Sequence, residues 1–182
     1  ESVRTGTALE LAVEGVPVGC PSARGGRGAG RGAGAGGGRA SVSTVPIPPQ
    51  DASQVSGTWP AGPVDARLSQ YVLQAQQKWT VTPVGNAGGY PGSPYFRITV
   101  AGTGRTLAAT EDRELAIVPA FTGGPEQLWR IDQLADGSYR VMPKAIPTSP
   151  ESLALSAIGS STPTLARVDP SSDRQRWLFK AP

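Results

Sequence analysis

The sequence predicts an all-β fold assembled from three related units, and three observations carry that prediction. The words "QKWTV" from Gln77, "QLWRI" from Gln127 and "QRWLF" from Gln175 place Trp79, Trp129 and Trp177 at intervals of 50 and 48 residues. A fixed period of that length is the mark of a repeat architecture. Each Trp is followed two places later by Val81, Ile131 or Phe179, the alternation of a half-buried strand. Finally, 24 Gly and 18 Pro among 182 residues, with only 17% charged, describe a chain rich in turns and poor in amphipathic helix.

Taken in order, the units share an outline of strand, turn, strand, loop, strand and then the Gln-x-Trp strand. In the second unit, "YFRITVAG" (Tyr95 to Gly102) supplies a first strand and Leu107 in "GTGRTLAAT" stands twenty-two residues before Trp129. In the third, "SYRVM" (Ser138 to Met142) follows the turn pair Asp136-Gly137, and Leu155 in "ESLALSA" stands twenty-two before Trp177. The first unit is irregular. "SVRTGTALELAVEG" (Ser2 to Gly15) matches "VAGTGRTLAAT" from Val100, yet Leu9 precedes Trp79 by seventy residues.

An insertion of about fifty residues explains the excess, and composition places it between Cys20 and about Pro63. On this reading the first strand of unit one belongs before Glu1. A second reading starts unit one at "ASVSTVPI" (Ala40 to Ile47) and treats residues 1–39 as an appended arm. The stretch Pro63 to Trp79 also admits two readings. Leu68, Tyr71, Val72 and Ala75 carry helical spacing, with Pro63 and Asp65 at a suitable start, but the repeat requires a short strand followed by a loop, and the repeat is preferred. The expected organisation is one domain over 1–182, with repeat one about 1–85, repeat two about 93–133 and repeat three about 136–182.

The three Gln-x-Trp copies and their upstream leucines resemble the ricin-B-type β-trefoil lectin domain, and the likeness covers residues 65–182 best. The resemblance implies a β-trefoil with a long Gly/Arg/Pro-rich insertion in its first repeat. It also implies that Trp79, Trp129 and Trp177 pack in a shared core, while the amides of Gln77, Gln127 and Gln175 bond to backbone and tie the repeats together. A Trp buries on the order of 200 Å², and an amide buried beside it must be satisfied.

In that family each unit can hold one shallow sugar pocket. An Asp after the second-strand Leu accepts from sugar hydroxyls, an aromatic upstream of the Trp stacks on the sugar, and an Asn three before the Trp adds a bond. Such a set suits a pyranose, which has an apolar face and a polar rim. Carried onto this chain, unit one offers Glu10, Tyr71 and Gln76, the least damaged set. Unit two has Ala108 where the acid belongs, with Asp112 as substitute, then Phe121 and Glu126. Unit three offers Ser156, Arg167 or Asp169, and Asp173 with Arg174. No unit has the full triplet. Packing under a loop competes with stacking for Tyr71 and Phe121, and a solvated edge charge competes with ligand contact for Glu10. Trp59 either covers a barrel end or meets a ligand.

Composition removes several other functions. There is no His, so Ser-His and Cys-His nucleophile pairs and histidine zinc sites are absent, and the single Cys20 makes neither an intrachain disulfide nor a thiolate cluster. No catalytic carboxylate pair stands out, so the expectation is a non-enzyme without cofactor or metal. No run of about 18 apolar residues offers a membrane span. The net charge of +3 gives no general nucleic-acid footprint. "RGGRGAGRGAGAGGGRA" (Arg24 to Ala40) could place guanidinium groups on phosphates, but it lacks the aromatics for base stacking, and a surface loop is the favoured reading over a nucleic-acid partner. The expected role is a secreted carbohydrate-binding module beside a catalytic domain, such as a bacterial glycoside hydrolase. The alternative is a degenerate trefoil serving as a structural or protein-contact module.

Overall fold

The computed structural model describes residues 1–12, 60–72, 74–90, 92–146 and 149–180. Ten strands are present among them: β1 (Thr7–Leu11), β2 (Val64–Gln70), β3 (Trp79–Tyr90), β4 (Ser93–Val100), β5 (Thr106–Ala109), β6 (Leu115–Val118), β7 (Trp129–Gln133), β8 (Tyr139–Pro143), β9 (Leu153–Ile158) and β10 (Thr162–Arg167). Among the described residues the regular helix is limited to single 3-10 turns at Ala75–Gln77, Pro125–Gln127 and Asp173–Gln175, each ending on the Gln of a Gln-x-Trp motif.

Three antiparallel hairpins repeat one arrangement. β1 faces β2 with Leu9 opposite Leu68. β5 faces β6 with Leu107 opposite Ile117, and β9 faces β10 with Leu155 opposite Leu165. The paired leucine and branched residues point to the common interior, where Leu68, Leu107, Ile117, Leu155 and Leu165 join Val100, Val141, Trp129 and Trp177 in one core. The hairpin of unit one closes over the chain from 12 to 63, whereas units two and three need only 110–114 and 159–161. Thr7–Leu11 thus form a hairpin with Ala66–Gln70. Cys20, Trp59, the Arg24 to Ala40 tract and "ASVSTVPI" lie outside the described residues. The helical reading of 63–79 gives way to strand β2 and one 3-10 turn, because Leu68 must meet Leu9 across the hairpin.

Units join through pairing at the tryptophans, which begin β3 and β7 and form isolated bridges at Trp177. Trp79 pairs with Val100, Trp129 with Pro143, and Trp177 with Ser2, so the last unit closes on the first. Trp129 and Trp177 have a second neighbour across their other edge, Phe96 and Tyr139 respectively. Among the described residues β3 pairs only with β4. This difference decides the burial of the three rings. Trp129 is 0% exposed and Trp177 3%, but Trp79 is only partly buried and packs against the margin of the core. The expectation of three equivalent core rings is corrected at Trp79, whose outer edge no described strand covers.

Each indole nitrogen donates to the carbonyl of its own second-strand leucine. Trp79 bonds Leu9, Trp129 bonds Leu107 and Trp177 bonds Leu155, all at 2.9 Å. The glutamines likewise act inside their units. Gln77 Oε1 accepts from the Val72 amide at 3.0 Å, Gln127 Oε1 from the Thr122 amide at 2.7 Å, and Gln175 Oε1 from the Asp169 amide at 2.9 Å. The expectation that these amides tie repeat to repeat is thus corrected. They clamp the loop before each Trp, and pairing of the Trp strands joins the units.

Candidate functional site

The clamped loop is where each unit could present a ligand surface, since the glutamine fixes its backbone and the strands on either side fix its ends. In unit one the acid has another use. Glu10 is 1% exposed and accepts from Arg67, its cross-strand neighbour, from the Ser69 hydroxyl, and from Gln77 Nε2 at 2.9 Å. Gln77 Nε2 also donates to Ser69 Oγ at 2.8 Å and to the Gln70 carbonyl at 2.7 Å. A buried carboxylate so engaged holds the hairpin and the loop together. Glu10 is accordingly neither a solvated edge charge nor an open acceptor.

Tyr71 and Gln76 are partly buried and have separate partners. Lys180 Nζ lies 5.9 Å from the Tyr71 ring centroid, and Gln76 Nε2 donates to Gln74 Oε1 at 2.6 Å. Tyr71 thus faces the C-terminal segment, at the rim of a groove, and the three residues expected to form the most intact pocket each serve a different contact.

Unit two differs from unit one in its acid candidate, Asp112, which is exposed where Glu10 is buried. Phe121 is half-buried immediately before Thr122, whose amide and hydroxyl both meet Gln127 Oε1, so the ring is set by the clamp. The guanidinium of Arg97 stands 5.7 Å from the Phe121 centroid, a cation against one aromatic face. Glu126 is half-buried, its carboxylate folded over Gly124, where an added Cβ would lie 2.1 Å from Oε1. Asp112 is exposed in the β5–β6 turn. Ala108, at the position of Glu10, is 3% exposed.

In unit three Ser156 occupies the same place at 4% exposure. Asp169 Oδ1 accepts from the Ser171 hydroxyl at 2.6 Å and its amide at 2.9 Å, and these bonds, the hydroxyl foremost, hold its carboxyl below the ordinary value of 3.8. The Arg167 carbonyl accepts from Gln175 Nε2 at 2.7 Å, and Asp173 lies 3.5 Å from Arg176. The position after the second-strand leucine is therefore interior in all three units. Arg67, Ser69 and Arg97 were invisible as partners in the sequence. Their signal is register, and Arg67 lies fifty-seven residues from Glu10.

Among the described residues no three His, Cys, Asp or Glu side chains are grouped to hold a metal ion. Nor is any helix there long and apolar enough to cross a membrane.

Three hairpins, three clamped loops and closure of the third unit on the first define a β-trefoil. Residues 75–164 match the family model described as "Ricin-type beta-trefoil lectin domain-like", a span that runs from the first Gln-x-Trp turn into β10. The fold is also similar to the crystal structure of a designed 3-fold symmetric protein, ThreeFoil, at 20% identity and a TM-score of 0.50, covering 65% of this chain and 81% of that one. No curated protein matches the sequence.

Proposed function

We propose that this domain is a noncatalytic carbohydrate-binding module, carried by a secreted, polysaccharide-active enzyme such as a bacterial glycoside hydrolase. Its role is to hold a neighbouring catalytic domain at high effective concentration on the polymer. The observation that carries the reading is the place of Phe121. It lies inside the span matching the lectin-like family and stands on a loop fixed by Gln127, with Glu126 five residues further along the chain. A ring and a carboxylate on one rigid loop can meet the apolar face and the hydroxyl rim of a sugar. The live pocket on this reading is in unit two, with Asp112 at its open side.

The second reading, a trefoil serving as a structural or protein-contact module, is favoured by one observation. Glu10, Ala108 and Ser156 are buried at the position where the lectin pockets keep their acid. Retention of the domain on a panel of insoluble polysaccharides separates the two. The module reading expects retention by at least one polymer, lost in Phe121→Ala at unchanged melting temperature. Absence of retention across the panel would establish the structural reading instead.

A further inference from the structure

Unit three departs from the repeat in one connection. Ser2, Val100 and Pro143 occupy one position in the three units, each pairing with a Trp. The second-strand leucine follows seven residues later as Leu9 and Leu107, but twelve later as Leu155. The longer connection is firmly seated. Ile146 is 5% exposed and joins the core, its carbonyl accepts from the Ser149 amide at 3.1 Å, and the Ser152 carbonyl accepts from the Val168 amide at 3.0 Å. The connection forms one wall of a cavity of about 300 Å³ whose other walls are β4, β7 and β8. This cavity is separate from the clamped loops before the tryptophans.

Its lining follows from strand register. Phe96 opposite Trp129 and Arg130 opposite Met142 set Tyr95, Arg130 and Met142 in one row across three strands, and all three line the cavity. Just past the end of β8, Lys144 Nζ stands 5.1 Å from the Tyr95 ring centroid and donates to the Ala87 carbonyl at 2.5 Å. The charges are unevenly matched. Arg130 pairs with Asp132 at 2.8 Å, and Glu151, on the longer connection, stands 3.6 Å from Arg113. Among the described residues no carboxylate lies within ion-pair distance of Lys144.

We propose that this cavity is a second sugar site, selective for a uronic acid residue of an acidic polysaccharide. The apolar face of the sugar lies against Tyr95 and Met142, its carboxylate meets the Lys144 ammonium, and Glu151 accepts from its hydroxyls. Glu151 separates this ligand from a bare inorganic anion, which a carboxylate in the lining repels and which has no hydroxyl rim to offer it. The volume is at the lower end for ligand pockets and suits one ring. The inference rests on the carbohydrate reading of the domain but not on Phe121, which stands on a different loop.

Titration of the domain with sodium D-glucuronate, sodium D-galacturonate, D-glucose and sodium sulfate, followed by backbone amide NMR shifts, tests it. At least one uronate should shift the amides of Arg130, Met142, Lys144 and Glu151 and saturate, well below the concentrations at which glucose or sulfate acts. Lys144→Gln should weaken that uronate about tenfold or more, Lys144→Arg should restore most of the loss, and Glu151→Gln should narrow the lead of uronate over sulfate. Melting temperatures check that each variant is folded. Phe121→Ala should leave the uronate response unchanged, and Lys144→Gln should leave retention on a neutral polysaccharide unchanged, so failure of the Phe121 site and failure of this one read separately. Glucose acting as tightly as the uronates, sulfate shifting the same amides as strongly, or unaltered uronate affinity in folded Lys144→Gln would each overturn the proposal. Absence of shifts with both uronates would overturn it too, even where a neutral polymer retains the domain.

Discussion

The indole nitrogen of Trp79 donates to the carbonyl of Leu9 at 2.9 Å across seventy residues of chain, while the equivalent bonds from Trp129 to Leu107 and from Trp177 to Leu155 span twenty-two. The same contact survives a large change in loop length because Leu9 is held opposite Leu68 by the β1–β2 pairing, as Leu107 and Leu155 are held in their own hairpins. Loop closure grows only slowly more costly with length, and the register of β1 on β2 restores the geometry wherever the intervening chain runs.

That symmetry makes the tryptophans a graded series. Trp129 is wholly enclosed and Trp79 is covered on one edge only. Trp129→Ala is expected to cost about 3–5 kcal/mol, and Trp79→Ala on the order of 2 kcal/mol, since less apolar area leaves water in the first place. Urea denaturation of the two variants checks the order. Equal losses would mean that the edge of Trp79 is covered in solution.

Much of this fold was legible in the sequence, because Gln-x-Trp and the leucine before it mark two fixed points per unit. The turn at Asp136-Gly137 was legible too, and Gly137 has a φ of 82° there, a conformation that glycine adopts freely. The site was less legible. Glu10 follows its leucine just as a sugar-binding acid does in the lectins, and only the cross-strand position of Arg67 and the reach of Gln77 show it as an interior ion. Likewise, Tyr71 and Phe121 both stand eight residues before their tryptophans, but one faces Lys180 and the other Arg97, from segments that no local pattern brings near.

Glu10 therefore carries a prediction of its own. Glu10→Ala removes the acceptor of the partly buried Ser69 hydroxyl and one of the acceptors of the Gln77 amide, at a cost of about 1–3 kcal/mol. In a double-mutant cycle with Arg67→Ala the losses should be less than additive, because the partners share one contact. Retention on a polysaccharide bound by the parent domain should not change at matched folded fraction. Loss of retention with unaltered denaturation would return Glu10 to the ligand site.

The turns add a dependence on pH. Asp136 Oδ1 accepts from the Ser138 hydroxyl at 2.6 Å and from its amide at 3.0 Å, and these bonds, the hydroxyl foremost, hold its carboxyl below the usual 3.8. Asp169 is lowered in the same way by Ser171. A carboxyl depressed in the folded state contributes stability that is fully present above its unfolded value. That contribution is lost as pH falls through the folded value. The melting temperature should fall as the pH is taken below about 4, and Asp136→Asn should flatten that fall. An identical acid profile in the variant would remove Asp136 from the account.

Gln127 and Gln175 offer the sharpest separation of fold from binding, because they do the same work in different units. Both are buried, and each Oε1 receives a backbone amide of the loop before its tryptophan. Replacing either by Leu keeps much of the volume and leaves that amide without its acceptor, so both variants should lose about 1–3 kcal/mol. Their effects on ligand should differ. Gln127→Leu frees the loop that carries Phe121, so retention on polysaccharide should fall at a temperature where the variant is fully folded. Gln175→Leu loosens the loop of Asp169 and should leave retention intact. Equal losses of retention would place the ligand surface outside unit two, and loss in Gln175→Leu alone would move it to unit three.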